Sequence, residues 1–200
     1  YHASKIYNPH SIIRITGDCP LIDPDIIGSV INLFYSADAD YASNNNPPSY
    51  PDGLDVEIFS SKVLSQIFHE DLSIHDKEHV TPFICGNHQF KSVNLFYKED
   101  LSFHRWTVDE PEDYLVIKNI IQAFTPRLNF TYQDILKLYS LQPELFYHNQ
   151  TITRNEGLSM HVGEKLWRRA KSVIPGGNSL LYKRAEMYLP QDWPSYFSKA

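Results

Sequence analysis

The run Ile12-Ile13-Arg14-Ile15-Thr16-Gly17-Asp18-Cys19-Pro20-Leu21-Ile22-Asp23-Pro24 carries an apolar strand to its end and delivers a carboxylate there. Open α/β sheets bind their ligands at that edge. A second strand-like run, 103–108, stops at Asp109 and passes directly into Glu110-Pro111-Glu112-Asp113, which has the proline and the acidic residues of a first helical turn. Two strand-end carboxylates fit a phosphate-handling cation, because Mg²⁺ is held by one or two protein carboxylates and takes its other ligands from water and substrate phosphates. The same two residues also fit a plainer role as N-caps, each opening a helix.

Other residues near these runs have two readings each. Asp52-Gly53-Leu54-Asp55-Val56-Glu57 puts Asp55 and Glu57 on one face of a strand, since side chains alternate with period two. A face with two carboxylates is rarely core, so the pair serves either a substrate, with Gly53 allowing close backbone approach, or a solvated sheet edge. Arg14 and Arg105 lie on the strands leading to Asp18 and Asp109. Each can grip a substrate carboxylate or phosphate as a bidentate fork, or pair with a neighbouring helix. His79, alone on a helix, reads as a hydrogen-bonded structural residue or as a substrate contact. Glu112 and Asp113 read as charges favouring the helix dipole. Cys19 and Cys85 lack paired spacing and read as small semi-buried thiols.

The elements that must position these residues follow from periodicity. Residues 24–34 have apolar side chains at helical spacing, with Asp23 as cap and Pro24 at the first helical position, so strand and helix form a βα unit. The pattern predicts a short strand over 39–43 and a polar, proline-containing surface loop over 44–49, a kind of loop that often touches substrate. A strand over 54–59 follows, then a helix capped by Ser60 and carrying Val63, Leu64, Ile67 and Phe68, then a helix over 77–84. Strands are predicted over 90–97 and 103–108. A helix over 111–124 turns Tyr114, Ile117, Ile121 and Phe124 inward, and one over 131–139 opens on a threonine cap. Alternation of this kind means a layered α/β domain.

Two hundred residues suffice for one such domain, or one and part of another. The net charge of −6 and the lack of a basic cluster longer than Trp167-Arg168-Arg169-Ala170-Lys171 exclude a surface that coats nucleic acid. Apolar runs are short and broken by charge, so no membrane span is read, and without a signal peptide the expected compartment is the cytoplasm. The sequons Asn129-Phe130-Thr131 and Asn149-Gln150-Thr151 then read as chance matches. Residues 12–15 read as a doubly covered central parallel strand needing neighbours that the sequence does not supply upstream of Tyr1. Nor is a Gly-rich phosphate loop found, so the 200-residue piece alone is expected to be inactive.

Five blocks occur in order: Thr16-Gly17-Asp18-Cys19-Pro20-Leu21-Ile22-Asp23-Pro24, Asp40-Tyr41-Ala42-Ser43-Asn44, Tyr50-Pro51-Asp52-Gly53-Leu54-Asp55-Val56-Glu57, Glu78-His79-Val80-Thr81-Pro82 and Arg105-Trp106-Thr107-Val108-Asp109-Glu110-Pro111-Glu112-Asp113. Over residues 4–149 the chain resembles the cytidylyltransferase family of spore-coat-polysaccharide type, relatives of the enzymes that make CMP-activated acidic sugars. The resemblance implies a Rossmann-like nucleotidyltransferase sheet with flanking helices, its N-terminal strands preceding Tyr1. It implies transfer of CMP from CTP to a sugar or sugar acid with release of pyrophosphate. By the same resemblance Asp18 and Asp109 are the Mg²⁺ ligands, and Asp55, ahead of Glu57, binds sugar hydroxyls, with Gly53, Arg14, Arg105 and His79 as further substrate-binding candidates. A homodimer is carried as the expected assembly. The rival readings are a glycosyltransferase that consumes nucleotide sugars, although Asp23 and Asp25 bracket Pro24 in capping positions instead of forming its usual metal motif, and a non-catalytic nucleotide-binding domain.

Beyond residue 150 the character changes. A linker over 151–156 leads to a short, mostly helical C-terminal segment, 157–200, where Ala170-Lys171-Ser172-Val173-Ile174-Pro175-Gly176-Gly177 resembles the start of glutamate-1-semialdehyde-type, class III aminotransferases. The resemblance implies pyridoxal phosphate in a longer fused protein, bound downstream of residue 200, so Lys171, Lys183 and Lys199 are not assigned to it. The other reading of 157–200 is an extension that packs on the first domain.

Overall fold

A short helix, α1 (His2–Tyr7), leads through Asn8, in the left-handed conformation, into β1 (Ser11–Arg14) in a computed structural model that describes residues 1–70, 72 and 74–154. Asp23 sets the start of α2 (Pro24–Ser36): its backbone is extended, its side chain accepts from the Asp25 N–H at 2.8 Å, and Pro24 needs no N–H partner there. Next come β2 (Tyr41–Ser43), β3 (Glu57–Ser60) and α3 (Ser61–Ile67), where the Ser60 hydroxyl caps Val63 N–H at 3.1 Å. Two short helices, α4 (Ile74–His79) and α5 (Pro82–Gly86), precede β4 (Ser92–Asn94). Helices α6 (Pro111–Phe124) and α7 (Tyr132–Leu141) and a 3₁₀ helix (Pro143–Asn149) follow. All of these lie in the first of two compact units, Tyr1–Thr151; the second is Ile152–Ala200. The stretch 157–200, with its aminotransferase resemblance, lies outside the described residues.

Among the described residues the strands form one mixed sheet in the order β1-β3-β2-β4, with β3 antiparallel to both β1 and β2, and β4 parallel to β2. Side chains alternate across it. Ala42 and Ile58 face one core with Leu21, Ile26, Val30, Phe34, Trp106, Val116, Ile120 and Ile135. Tyr41 and Phe59 face a second with Val63, Leu64, Ile67 and Ile84. Each fully buried aliphatic side chain in these layers contributes about 1.5–3 kcal/mol of hydrophobic stabilisation. Among the described residues no helix is long and apolar enough to cross a membrane.

Several elements depart from the sequence expectations. The strand at 12–15 stands at one end of the described sheet with an antiparallel ladder, because apolar side chains on both faces report coverage and not the direction of the neighbour. Residues 103–108 form no strand: Phe103 lies in a turn, and the residues after it change partner midway, from Asp52, whose carbonyl receives the Trp106 N–H at 2.7 Å, to Asp18, whose carbonyl receives the Val108 N–H at 2.9 Å. The helix expected over 77–84 is split where Val80 takes a left-handed φ of 69° and Pro82 restarts the turn. The strand expected from 54 begins only at Glu57, since the buried Asn44 side chain takes the ladder positions ahead of it, donating to Leu54 O and accepting from Val56 N–H, both at 2.8 Å. The buried face of α6 is Asp113, Val116, Ile117 and Ile120, leaving Tyr114 57% and Ile121 36% exposed.

Candidate active site

The two sequence-derived carboxylates meet through backbone. Asp18 sits in the turn after β1, half-buried, and its carbonyl accepts both the Val108 N–H (2.9 Å) and the Thr107 hydroxyl (3.1 Å). Asp109 is the next residue along that second segment, so the turn after β1 and the start of α6 are stitched side by side. Burial raises Asp109 above the usual carboxylate range, and the neighbouring Asp18 charge adds to this while Arg105 opposes it. Burial likewise pushes the Cys19 thiol up to about 11; its contact with the Thr16 hydroxyl at 3.2 Å works against this, and the charges of Asp18, Asp55 and Asp52 work with it. Asp18, Asp52 and Asp55 therefore share one electrostatic neighbourhood.

Arg105 is the hub of this region. Its Nη1 donates to Asp52 at 2.9 Å, its Nη2 to Asp109 at 2.9 Å and to Asp113 at 2.8 Å, and its Nε to the other Asp113 oxygen at 2.9 Å. Four of the five guanidinium N–H groups are thus engaged by protein carboxylates and the side chain is only 8% exposed. The bidentate substrate fork read from the sequence is not open to Arg105 in this arrangement. Burial works against its charge, but Asp113 first, then Asp52 and Asp109, more than offset this and raise its pKa. Asp113 is fully buried and, besides Arg105, accepts from the Asp109 and Glu110 N–H groups (3.1 and 3.0 Å) and from Asn149 (2.8 Å). These bonds overcome burial and lower its pKa. Its role reaches well past the helix dipole: it closes a capping box with Glu110 and anchors the Arg105 hub.

The loop before β3 is held just as firmly. Gly53 is buried with φ 96°, and a Cβ on it would stand 2.5 Å from the Trp106 carbonyl, so the close approach it permits is to the protein's own backbone. Asn44 pairs with the peptide groups on both sides of Asp55, whose side chain stays half-buried. Glu57 differs from its expected role. It is 5% exposed, with Arg14 Nη1 donating to one oxygen (2.5 Å) and the Tyr41 hydroxyl to the other (2.7 Å), so it holds Arg14 where a sugar ligand was expected. The period-two argument put Asp55 and Glu57 on one face, but only Glu57 belongs to the strand. Burial and the Glu57 charge drive the Tyr41 hydroxyl's pKa strongly upward. Arg14 keeps a side chain 30% exposed at the end of β1, in one cross-strand row with Glu57 and Ser43. His79 lies half-buried in the last turn of α4, its carbonyl accepting from Thr81 N–H at 2.8 Å.

Among the described residues no group of three or more His, Cys, Asp or Glu side chains gathers around a metal position. A carboxylate pair suits a hard cation that completes its shell with water and phosphate oxygens, and the half-exposed Asp109 beside Asp18 is a donor set of that kind. Sequence reasoning missed Asn44, Asp52, Asp113 and Asn149 as the residues that fix this site. Asp113 carried a readable signal, a carboxylate three residues after Glu110 at a helix start. Asn149 carried none.

Comparison with known proteins places the fold. The structure of a cytidylyltransferase from Leptospira borgpetersenii superposes with a TM-score of 0.70 at 31% identity, covering 76% of this chain and 65% of that one. The fold is that of a cytidylyltransferase-type nucleotidyltransferase. In sequence the chain is 29% identical over 141 residues to the spore coat polysaccharide biosynthesis protein SpsF of Bacillus subtilis, covering 68% of this chain and 57% of the relative. It is 27% identical over 157 residues to an uncharacterized protein of Methanocaldococcus jannaschii, covering 76% of this chain and 62% of that protein. The chain therefore spans about three fifths of the length of these relatives. No family model matches it.

Proposed function

We propose that the protein is a nucleotidyltransferase that joins CMP from CTP to a hydroxyl of a sugar or sugar acid and releases pyrophosphate, in the assembly of a surface polysaccharide. The observation that carries this reading is the stitch in which the Asp18 carbonyl accepts the Val108 N–H and the Thr107 hydroxyl, which brings the segments bearing Asp18 and Asp109 together after β1. Similarity to a solved cytidylyltransferase and to SpsF supports the choice of CTP and of the pathway. In the reaction the acceptor oxygen bonds to the α-phosphorus, the bond to the β-phosphate oxygen breaks, and the hydroxyl proton passes to solvent. Asp18 and Asp109 would hold a Mg²⁺, which when bound would neutralise charge on the phosphate oxygens. The chain's own part is positioning. Arg105 holds Asp109 in place, Asp55 orients acceptor hydroxyls, and Arg14, braced by Glu57, offers its remaining N–H donors to an anionic group. In the same reading, residues 157–200 open a pyridoxal-phosphate aminotransferase-like region of a longer, cytoplasmic, homodimeric protein.

Exchange of labelled pyrophosphate into CTP by the full-length protein, in the presence of a panel of sugar and sugar-acid acceptors, tests this, since a glycosyltransferase acting on finished nucleotide sugars does not catalyse it. The buried Asp23, engaged as a helix cap, already weighs against that rival's metal motif. Asp18→Asn or Asp109→Asn is expected to lower the exchange rate at least a hundredfold, about 2.7 kcal/mol of barrier. Either variant keeping more than about a tenth of the wild-type rate, or exchange absent from the wild type, overturns the assignment.

A further inference from the structure

Asn149 is the last residue of the 3₁₀ helix, forty residues after Asp109 in sequence, and only 3% exposed. Its amide nitrogen donates twice, to the Arg105 carbonyl at 2.9 Å and to Asp113 Oδ1 at 2.8 Å. Asp113 in turn receives the Asp109 N–H at 3.1 Å and pairs through both oxygens with Arg105, and Arg105 donates to the Asp109 carboxylate at 2.9 Å. Asp109 is thus gripped at its backbone and at its side chain by two groups that Asn149 itself grips.

We infer that Asn149 is a positioning residue for the cation-binding carboxylate Asp109, acting through the Asp113–Arg105 pair. This rests on the reading of Asp109 as a cation ligand. The physical ground is that Asp113 has no exposure to water, so a donor removed from its Oδ1 is not replaced by solvent. The buried carboxylate and guanidinium then relax toward each other, and both of their connections to Asp109 move with them. Outer partners of metal ligands commonly set affinity by tenfold or more when their own hydrogen bonds are intact.

A comparison built into the fold separates this role from simple anchoring. Asn119, on α6, donates to the Leu145 carbonyl at 3.1 Å and so fastens the same 3₁₀ helix without touching Arg105 or Asp113. The probe is Mn²⁺ alone, titrated into the full-length protein and followed by the electron paramagnetic resonance signal of the free ion, with thermal melting recorded beside it. Asn149→Ala is expected to weaken Mn²⁺ binding about tenfold. Asn149→Ser, which keeps one donor, is expected to fall between Ala and wild type, and it carries the test should the alanine variant not fold. Asn119→Ala is expected to lower the melting temperature and leave Mn²⁺ affinity within twofold of wild type. If Asp109→Asn binds Mn²⁺ as wild type does, the cation reading itself fails. If Asp109→Asn weakens binding and the Asn149 variants do not, or if Asn149 and Asn119 variants weaken it equally, the positioning role is overturned.

Discussion

Arg14 and Arg105 look alike in sequence, each on an extended run leading to an aspartate, and their surroundings give them different work. Arg105 satisfies three carboxylates from a buried position, while Arg14 spends one nitrogen on Glu57 and stays part-exposed. A lysine cannot reproduce a planar fork that reaches Asp52, Asp109 and Asp113 together. Arg105→Lys is expected to cost about 3 kcal/mol, because Asp113 is left buried with an incomplete partner. Arg14→Lys, which keeps one charge beside Glu57, is expected to cost under about 1 kcal/mol. Urea unfolding of both variants checks the contrast, and equal losses would remove the distinction. Gly53 poses a harder constraint. Its positive φ and the Trp106 backbone 2.5 Å from any added Cβ mean that Gly53→Ala should cost about 3 kcal/mol or more in the same measurement.

At the scale of elements, caps do more than end helices. Asp23 accepts the Asp25 N–H at the start of α2 and, with its other oxygen, the Tyr132 N–H at the start of α7, both at 2.8 Å. One buried carboxylate therefore fixes the starts of two helices that lie more than a hundred residues apart. Asp23→Ala is expected to cost about 2–3 kcal/mol, against about 1 kcal/mol for a single-helix cap such as Ser60→Ala. Calorimetric melting of the two variants distinguishes them. The cap on α2 was legible from Asp23-Pro24; the bond to α7 was not, because nothing in local spacing tells which distant N–H a spare oxygen will meet. Asn44 is the corresponding case in the sheet, a side chain that substitutes for a strand partner and so shortens β3.

The whole molecule shows its packing in its response to acid. His104 is 5% exposed, with its ring against those of Phe103, Trp106 and Tyr139, and burial lowers its pKa to about 4 from an ordinary 6.5. Below pH 6.5 the unfolded chain takes up a proton at this position while the folded chain does not. The stabilisation is complete above about pH 6.5 and is lost as the pH falls toward 4, by at most about 3 kcal/mol. Replacing the ring without its titration, His104→Phe, is expected to flatten the dependence of melting temperature on pH between 6.5 and 4. An unchanged slope would assign the acid response to other groups.

Residue order alone determined the α/β class, the helices at Pro24–Ser36, Pro111–Phe124 and Tyr132–Leu141, the caps Asp23 and Thr131, and the two aspartates that end apolar runs; the cap of Pro111–Phe124 is Glu110 and not the Asp109 that the sequence offered. These features rest on periodicity and on capping chemistry, which are local and survive translation along the chain. Tertiary structure decided the rest. It turned the inward face of α6 toward Asp113, because Arg105 draws that carboxylate into the interior. It buried Glu57 under Arg14 and Tyr41, although alternation had placed it with Asp55, because β3 begins two residues too late to include Asp55. It also brought Asn149 against Asp113 and Arg105, a juxtaposition of residues 36 and 44 apart. Such long-range satisfaction of buried polar groups depends on how the layers close around them, and a linear pattern carries no record of it.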